Sequence, residues 1–330
     1  MPQVTGTVVK LAAFTEASYN TVPGSPDGML MYARSIGVQA SANAAQDDTL
    51  AGYRGMLRPV RDTKDISGQI AVNVAPQSIG MWLKHLIGAP TTSGTTNKTH
   101  TFTPVMPGGS NSIPAGLLLE QDLGASFTAA SRYLRFGGCR IARGQFTFGP
   151  GGFAQAQFDI KGASIAKSST ALDASLTDNG HTAFSNLVGT LTVGGGSITV
   201  CPTQFGFTWD NDNDDSNYCI GGGGTRGSLP EGFVIVSGNL EVLLNDSALL
   251  DAILNDTSSS LSMKLQNGTG DGSAGNEALT FNFNNVAFDL TTPAIQSSKG
   301  VRLATTWKAY RTSGEVSASA VLTNTIATYP

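Results

Sequence analysis

The chain has 330 residues, of which 40% are apolar, so it can bury real cores and its length allows two domains. Only 13% are charged, and Gly reaches 40 where an average of about 7% gives roughly 23. Residues 1–165 carry 13 Lys/Arg against 9 Asp/Glu and residues 166–330 carry 7 against 15, within a net charge of −4; neither half has the basic stripe of a protein that grips nucleic acid.

In chain order, Met1-Pro-Gln-Val-Thr-Gly-Thr-Val-Val-Lys10 lacks a charged start followed by an apolar run, so it reads as no secretory signal. Gly28 to Val38 leads into a first long loop, about 42–65. Ile66-Ser-Gly-Gln-Ile-Ala-Val-Asn-Val74 then alternates apolar and polar residues, as a half-buried strand does. Ile79, Trp82, Leu83 and Leu86 recur at helical spacing, and Gly88 and Pro90 end that helix near Ile87. Thr91 to Lys98 reads as a polar hairpin or loop, and Thr99–Thr103 and Gly116–Glu120 as short strands. Arg140–Phe148 and Phe153–Lys161 flank Gly149-Pro-Gly-Gly152 as a hairpin. Residues 163–183 are rich in Ser, Ala, Thr and Asp and form the natural linker. Ile198–Trp209 is a strand, and Asp210–Gly232 a second long loop. Val236-Ser-Gly-Asn-Leu-Glu-Val-Leu-Leu244 repeats the strand at 66–74 in register, 170 positions later. A helix over Ala248–Leu254 follows it, then strands at 276–282, 285–291 and 300–310.

The flanks repeat as well: Gly52-Tyr-Arg-Gly55 precedes the first copy and Gly224-Thr-Arg-Gly227 the second. Loop, alternating strand and short helix thus occur twice in one order. That pattern divides the chain into a first domain over 1–165, a linker over 166–183 and a second domain over 184–330. Two copies are too few for a solenoid but suit a symmetric assembly.

Motifs for chemistry are sparse. His85, His100 and His181 have neither metal-ligand nor triad spacing. In Asp210-Asn-Asp-Asn-Asp-Asp215, the carboxylates of Asp210, Asp212 and Asp214 invite a calcium reading. A calcium loop of this type needs Gly at the sixth position and Glu at the twelfth, where this chain has Asp215 and Gly221, so a solvated acidic loop is preferred. Gly221–Gly227 lacks the Lys-Ser/Thr of a phosphate loop. Cys139, Cys201 and Cys219 are odd in number and scattered; they read as reduced thiols, with a Cys201–Cys219 bridge as the alternative.

Several short stretches, in order, resemble the tail tube proteins of long-tailed bacteriophages, of the kind with a duplicated tube domain. They are Phe14-Thr-Glu-Ala-Ser-Tyr-Asn-Thr-Val-Pro-Gly24, Asp65-Ile-Ser-Gly68 before the short helix, and Thr99-His-Thr-Phe102. Tyr133-Leu-Arg-Phe-Gly-Gly-Cys-Arg140 follows, then Ala183-Phe184 before Gly189-Thr-Leu-Thr-Val193, and Val236-Ser-Gly238. The resemblance implies a mainly β fold of two tandem β-sandwich or barrel-like units, each with a flanking short helix. It also implies a structural virion protein, made in the host cytoplasm, with no cofactor and no enzymatic role. Trimeric, pseudo-hexameric rings would stack into a tube that delivers DNA without sequence-specific binding. Partners would be the tape measure, tail terminator and distal tail proteins.

On that reading the two long loops join one ring to the next, with Asp47, Asp48, Tyr53, Arg54, Asp214, Asp215 and Arg226 as contact candidates, since a guanidinium makes several directed bonds at a protein contact. A rival reading is a carbohydrate-binding or other tail-tip β-sandwich, which would expose aromatic platforms. Trp82, Trp209 and Trp307 each fall in an expected regular element, which points to packing instead.

Overall fold

The structure is a computed structural model that describes residues 5–49, 52, 54, 57–106, 108–125, 131–196, 198, 200–245, 247–295, 300–313 and 316–330. Its first half holds β1 (Lys10–Glu16), β2 (Met29–Met31), β3 (Ser35–Ile36), β4 (Gln39–Ala45), β5 (Val60–Asn73) and α1 (Ile79–Leu86). There follow β6 (Thr91–Ser93), β7 (Lys98–Phe102), β8 (Gly116–Asp122), β9 (Tyr133–Phe148), β10 (Gln155–Gly162) and β11 (Ser164–Ser168). The second half holds β12 (Gly189–Val193), β13 (Cys201–Asp210), β14 (Ile235–Leu243), α2 (Ala248–Leu254), β15 (Ser259–Gln266), β16 (Ala278–Phe288), β17 (Arg302–Ala309) and β18 (Ala318–Asn324). The fold is mainly β, and every strand ladder among the described residues is antiparallel.

Besides the run β2–β1–β8–β9–β11, the strands pair in two layers. One runs β4–β5–β10–β9–β13–β14–β17. The other runs β6–β7–β18–β16–β15–β12. Sequence alternation decides the faces, because successive side chains on a strand point to opposite sides. In β13, Phe205, Phe207 and Trp209 turn inward; in β16, Phe281 and Phe283 do; in β17, Leu303 and Trp307 do. These rings meet across the layers. Phe207 lies 4.8 Å from Phe281 and 5.0 Å from Phe283 between ring centres, and Phe283 lies 4.7 Å from Trp307. Phe146 of β9 stacks on Phe207 at 4.8 Å, so one core spans both halves of the chain. Aromatic pairs of this kind add to the burial of apolar area that dominates the stability of such a core.

One set of pairings occurs twice, in the same chain order. In the first half β1 pairs β8, β8 pairs β9, β9 pairs β11 and β10, and β10 pairs β5, which pairs β3 and β4. In the second half β12 pairs β15, β15 pairs β16, β16 pairs β18 and β17, and β17 pairs β14, which pairs β13. The repeated strands match in detail. A Cβ on Gly68 would collide with the carbonyl oxygen of Gly37, and one on Gly238 with that of Gly206. The preceding backbone lies so close at both places that only Gly fits. The two halves join where β9 pairs β13 and where β18 pairs β7.

Both short helices form where their spacing predicts. On α1, Trp82 is 1% exposed and stacks on Phe158 of β10 at 4.9 Å. On α2 only Leu249 and Ile253 are buried; Leu254 is exposed. Residues 163–183 pack closely. Leu172 and Leu176 cover Phe14 and Leu118, and Thr177 exchanges backbone hydrogen bonds with Gly28 and Leu30. The expected break at Phe283–Asn284 is absent, since β16 runs through both.

Candidate functional site

The outer face of the first layer is built from the alternate residues that the core does not take. Two rows cross six strands. One runs Ala71, Gln157, Gln145, Thr208, Ser237 and Lys308; the next runs Asn73, Gln155, Thr147, Gly206, Asn239 and Thr306. Lys308 is the one charged residue in them, and only Gly206 is buried. The face dips into a shallow depression of about 530 Å³ lined by Gln145, Thr147, Gln204, Thr208, Asn239 and Thr306, among others. Charge collects in the row beyond, where Arg143 binds Asp210 at 2.7 Å and faces Asp159. Amides and hydroxyls here present hydrogen-bonding groups to water with almost no fixed charge.

The second long loop, after β13, folds back over the first half. Arg226 is its anchor and is 4% exposed. Its Nη1 donates to the carbonyls of Gly162 (2.8 Å) and Ile66 (3.3 Å), its Nε to that of Asp215 (2.8 Å), and its Nη2 to the Asp65 carboxylate. The guanidinium also lies 5.4 Å from the centre of the Tyr218 ring. Tyr218 donates to the Lys64 carbonyl, the Lys64 amide donates to the Gly224 carbonyl, and Lys161 binds Asp215 at 2.8 Å. Arg140 binds Glu231. Arg226 and Asp215, expected to reach another ring, are engaged within the chain. Their polar groups have partners on β5, β10 and the loop itself, and freeing a buried guanidinium from several acceptors is costly.

The first long loop behaves differently. Its stems are strands, not loop: β4 pairs β5 from Gln39 to Ala45, and β4 is exposed along its whole length. Asp47 accepts from the Thr49 amide, and Asp47, Asp48 and Arg54 are exposed. Tyr53 lies outside the described residues.

Asp210, Asp212 and Asp214 do not converge. Asp210 is held by Arg143 and by the Asp212 amide, while Asp214 accepts from Ser216 and Asn217. Among the described residues, no three of His, Cys, Asp or Glu could hold a metal ion. The three cysteines are free, Cys139 buried and Cys201 and Cys219 exposed. His85 and His100 are buried, His85 beside the Thr15 hydroxyl at 3.1 Å and His100 beside the Ile326 carbonyl at 2.9 Å. Burial, with Lys84 and Arg140 adding repulsion, holds His85 neutral well below 6.5. Trp82, Trp209 and Trp307 are buried in the core, so none forms a surface platform.

Sequence reading missed the neutral rows, which exist only once six strands are set side by side, and the Arg140–Glu231 pair, whose members lie 91 residues apart. Gly37 and Gly206 were visible signals for the close strand pairs. No helix among the described residues is long and apolar enough to cross a membrane.

The described surfaces include a neutral polar sheet face, an exposed two-stranded arm and a loop locked onto its own chain. A search of curated proteins finds no match. The sequence matches the family described as phage tail tube protein over residues 6–309 of 330, and the chain belongs to that family.

Proposed function

We propose that this phage tail tube protein, a structural component of the virion tail, is a tandem duplication of one tube domain, over 1–165 and 184–330. On this reading three chains close into a pseudo-sixfold ring, rings stack into the tube, and DNA passes along the lumen. The observation that carries this reading is the set of pairings that occurs twice and joins at β9–β13. A seam of that kind, repeated between chains, closes a ring and covers the open edges at β4 and at the start of β17, before the stretch that β16 pairs, which would otherwise recruit stray strands.

The neutral rows of the first layer would line the lumen. A polyanion is retained by fixed cations that release its counterions, and these two rows offer one lysine per chain. Hydrated amides and hydroxyls let DNA pass without a hold on its phosphates. The tape measure, tail terminator and distal tail proteins would meet the lumen and the two tube ends.

Negative-stain microscopy and native mass spectrometry of the purified protein test the reading. Tubes or rings that dissociate into three-chain units support it. Monodisperse monomers at high concentration, or six-chain rings, refute it.

A further inference from the structure

We infer that the first long loop of one chain clasps the second half of its neighbour within the same ring, as the second loop clasps the first half within the chain. This rests on the three-chain ring proposed above. Asp210 pairs with Ile235 at the mouth of the second loop, and Ser41 pairs with Asp65 at the matching mouth of the first. Between those pairs lie residues 211–234 and 42–64, 24 and 23 residues; in the first loop the β4–β5 ladder continues to Ala45 and Val60, so its tip is 46–59.

The second loop shows what such a loop covers. It runs from β13 back across β9 and β10 to β5, and there it covers Lys64 and Asp65 through Tyr218, Gly224 and Arg226. One repeat later, 170 positions on, Thr63, Lys64 and Asp65 become Phe233, Val234 and Ile235. Among the described residues no loop covers them: Phe233 is 83% exposed, Val234 37% and Ile235 51%. An exposed apolar triplet beside the neutral sheet calls for a cover, since such patches mark interaction sites. The first loop offers matching apolar side chains in Leu57 and Val60, both exposed. It also offers Arg54, set between Gly52 and Gly55 as Arg226 is set between Gly224 and Gly227.

Direction agrees too. β4 is the edge of the first layer, and the loop leaves from its end, as the second loop leaves from β13. When a ring sets a neighbour's second half beside β4, the loop lies over that neighbour's β17 and β14. The occupant of the Phe233–Ile235 patch is therefore a second copy of this chain, and Arg54 acts within a ring, not between rings.

The test joins two exposed positions. Arg54→Cys and Ile235→Cys are introduced with Cys201→Ser and Cys219→Ser, leaving only the buried Cys139 as a native thiol. The assembled protein is treated with a short bis-maleimide and run on a denaturing gel, and the same sample is imaged. The clasp gives two- and three-chain bands, with three as the end of the ladder. Bands beyond three chains would place the loop on the next ring and overturn the inference. So would single chains alone in a sample whose rings are visible. A sample without rings overturns the ring itself, and the clasp with it. As a second variant, Phe233→Asp with Ile235→Asp changes only exposed side chains and should leave the far-ultraviolet circular dichroism of the single chain unchanged while abolishing three-chain units. Intact three-chain units that fail to form tubes would contradict the lateral clasp.

Discussion

Replacing Arg226 with Ala tests how the second loop is held. The guanidinium donates two buried bonds to strand carbonyls and one to Asp215, and it meets a carboxylate that is itself 43% exposed. Bonds from a charged donor contribute about 1.5–3 kcal/mol each, and stripping a buried acceptor of its partner costs about 1–3 kcal/mol. The Asp65 carboxylate regains water when released, so its share stays below about 1 kcal/mol. Removing the charge also removes the penalty of burying it, which offsets part of the loss. The net expectation is about 3 kcal/mol. At about 2.1 cal/mol/K per residue, the 330-residue chain has an unfolding entropy near 0.7 kcal/mol/K, so Tm falls by about 4 °C. Asp65→Ala should lower Tm by no more than about 1.5 °C on the same scale. Scanning calorimetry measures both, and hydrogen exchange should show faster exchange in residues 213–228 of the Arg226 variant. Equal losses from the two variants would mean that the exposed ion pair, not the buried carbonyl bonds, holds the loop. A fall under about 1 °C for Arg226→Ala would mean that the loop is not clasped.

Trp82→Ala should cost about 3–5 kcal/mol in denaturant unfolding, because it empties a site packed against Phe158; a cost under about 1 kcal/mol would mean that α1 does not seal the core there. Gly238→Ala places a methyl against the Gly206 carbonyl and the Trp307 ring, and Gly68→Ala places one against the Gly37 backbone. Both should destabilise by more than about 1 kcal/mol, and a neutral result at either would show that the strands can part. His85 is neutral in the folded chain, while the unfolded ring takes a proton below 6.5, so unfolding is favoured as pH falls. Stability from this group is full above 6.5 and declines below it, and His85→Gln should flatten that part of the pH profile. An unchanged slope would mean that His85 is not the group responsible.

The parts legible in the sequence were those fixed by neighbours along the chain. Ile66, Ile70, Val72 and Val74 alternate, and so do Val236, Leu240 and Val242; all are buried as that pattern requires. The helix at Ile79 shows itself by three- and four-residue spacing. The stems of the first loop were not legible. Gln39-Ala-Ser-Ala-Asn-Ala-Ala45 has no apolar period and becomes a strand only through its pairing with β5. β18 was missed as well: its small residues carry little signal, and it is fixed by β16 and by β7, some 220 positions away. For Arg226 the flanking glycines gave a fair reading of the residue type but not of its direction. Whether it points outward or inward is decided by Ile66 and Gly162, far off in sequence.

The most direct test of the central claim is a helical reconstruction of the assembled protein by electron cryo-microscopy at a resolution that traces side chains. The account predicts three chains per ring, six repeats of the pairing set around the axis, and a lumen wall carrying Gln145, Thr208 and Ser237. A ring of six chains would contradict it, as would a lumen walled by the opposite layer, with Thr101, Thr280 and Lys264 facing the axis.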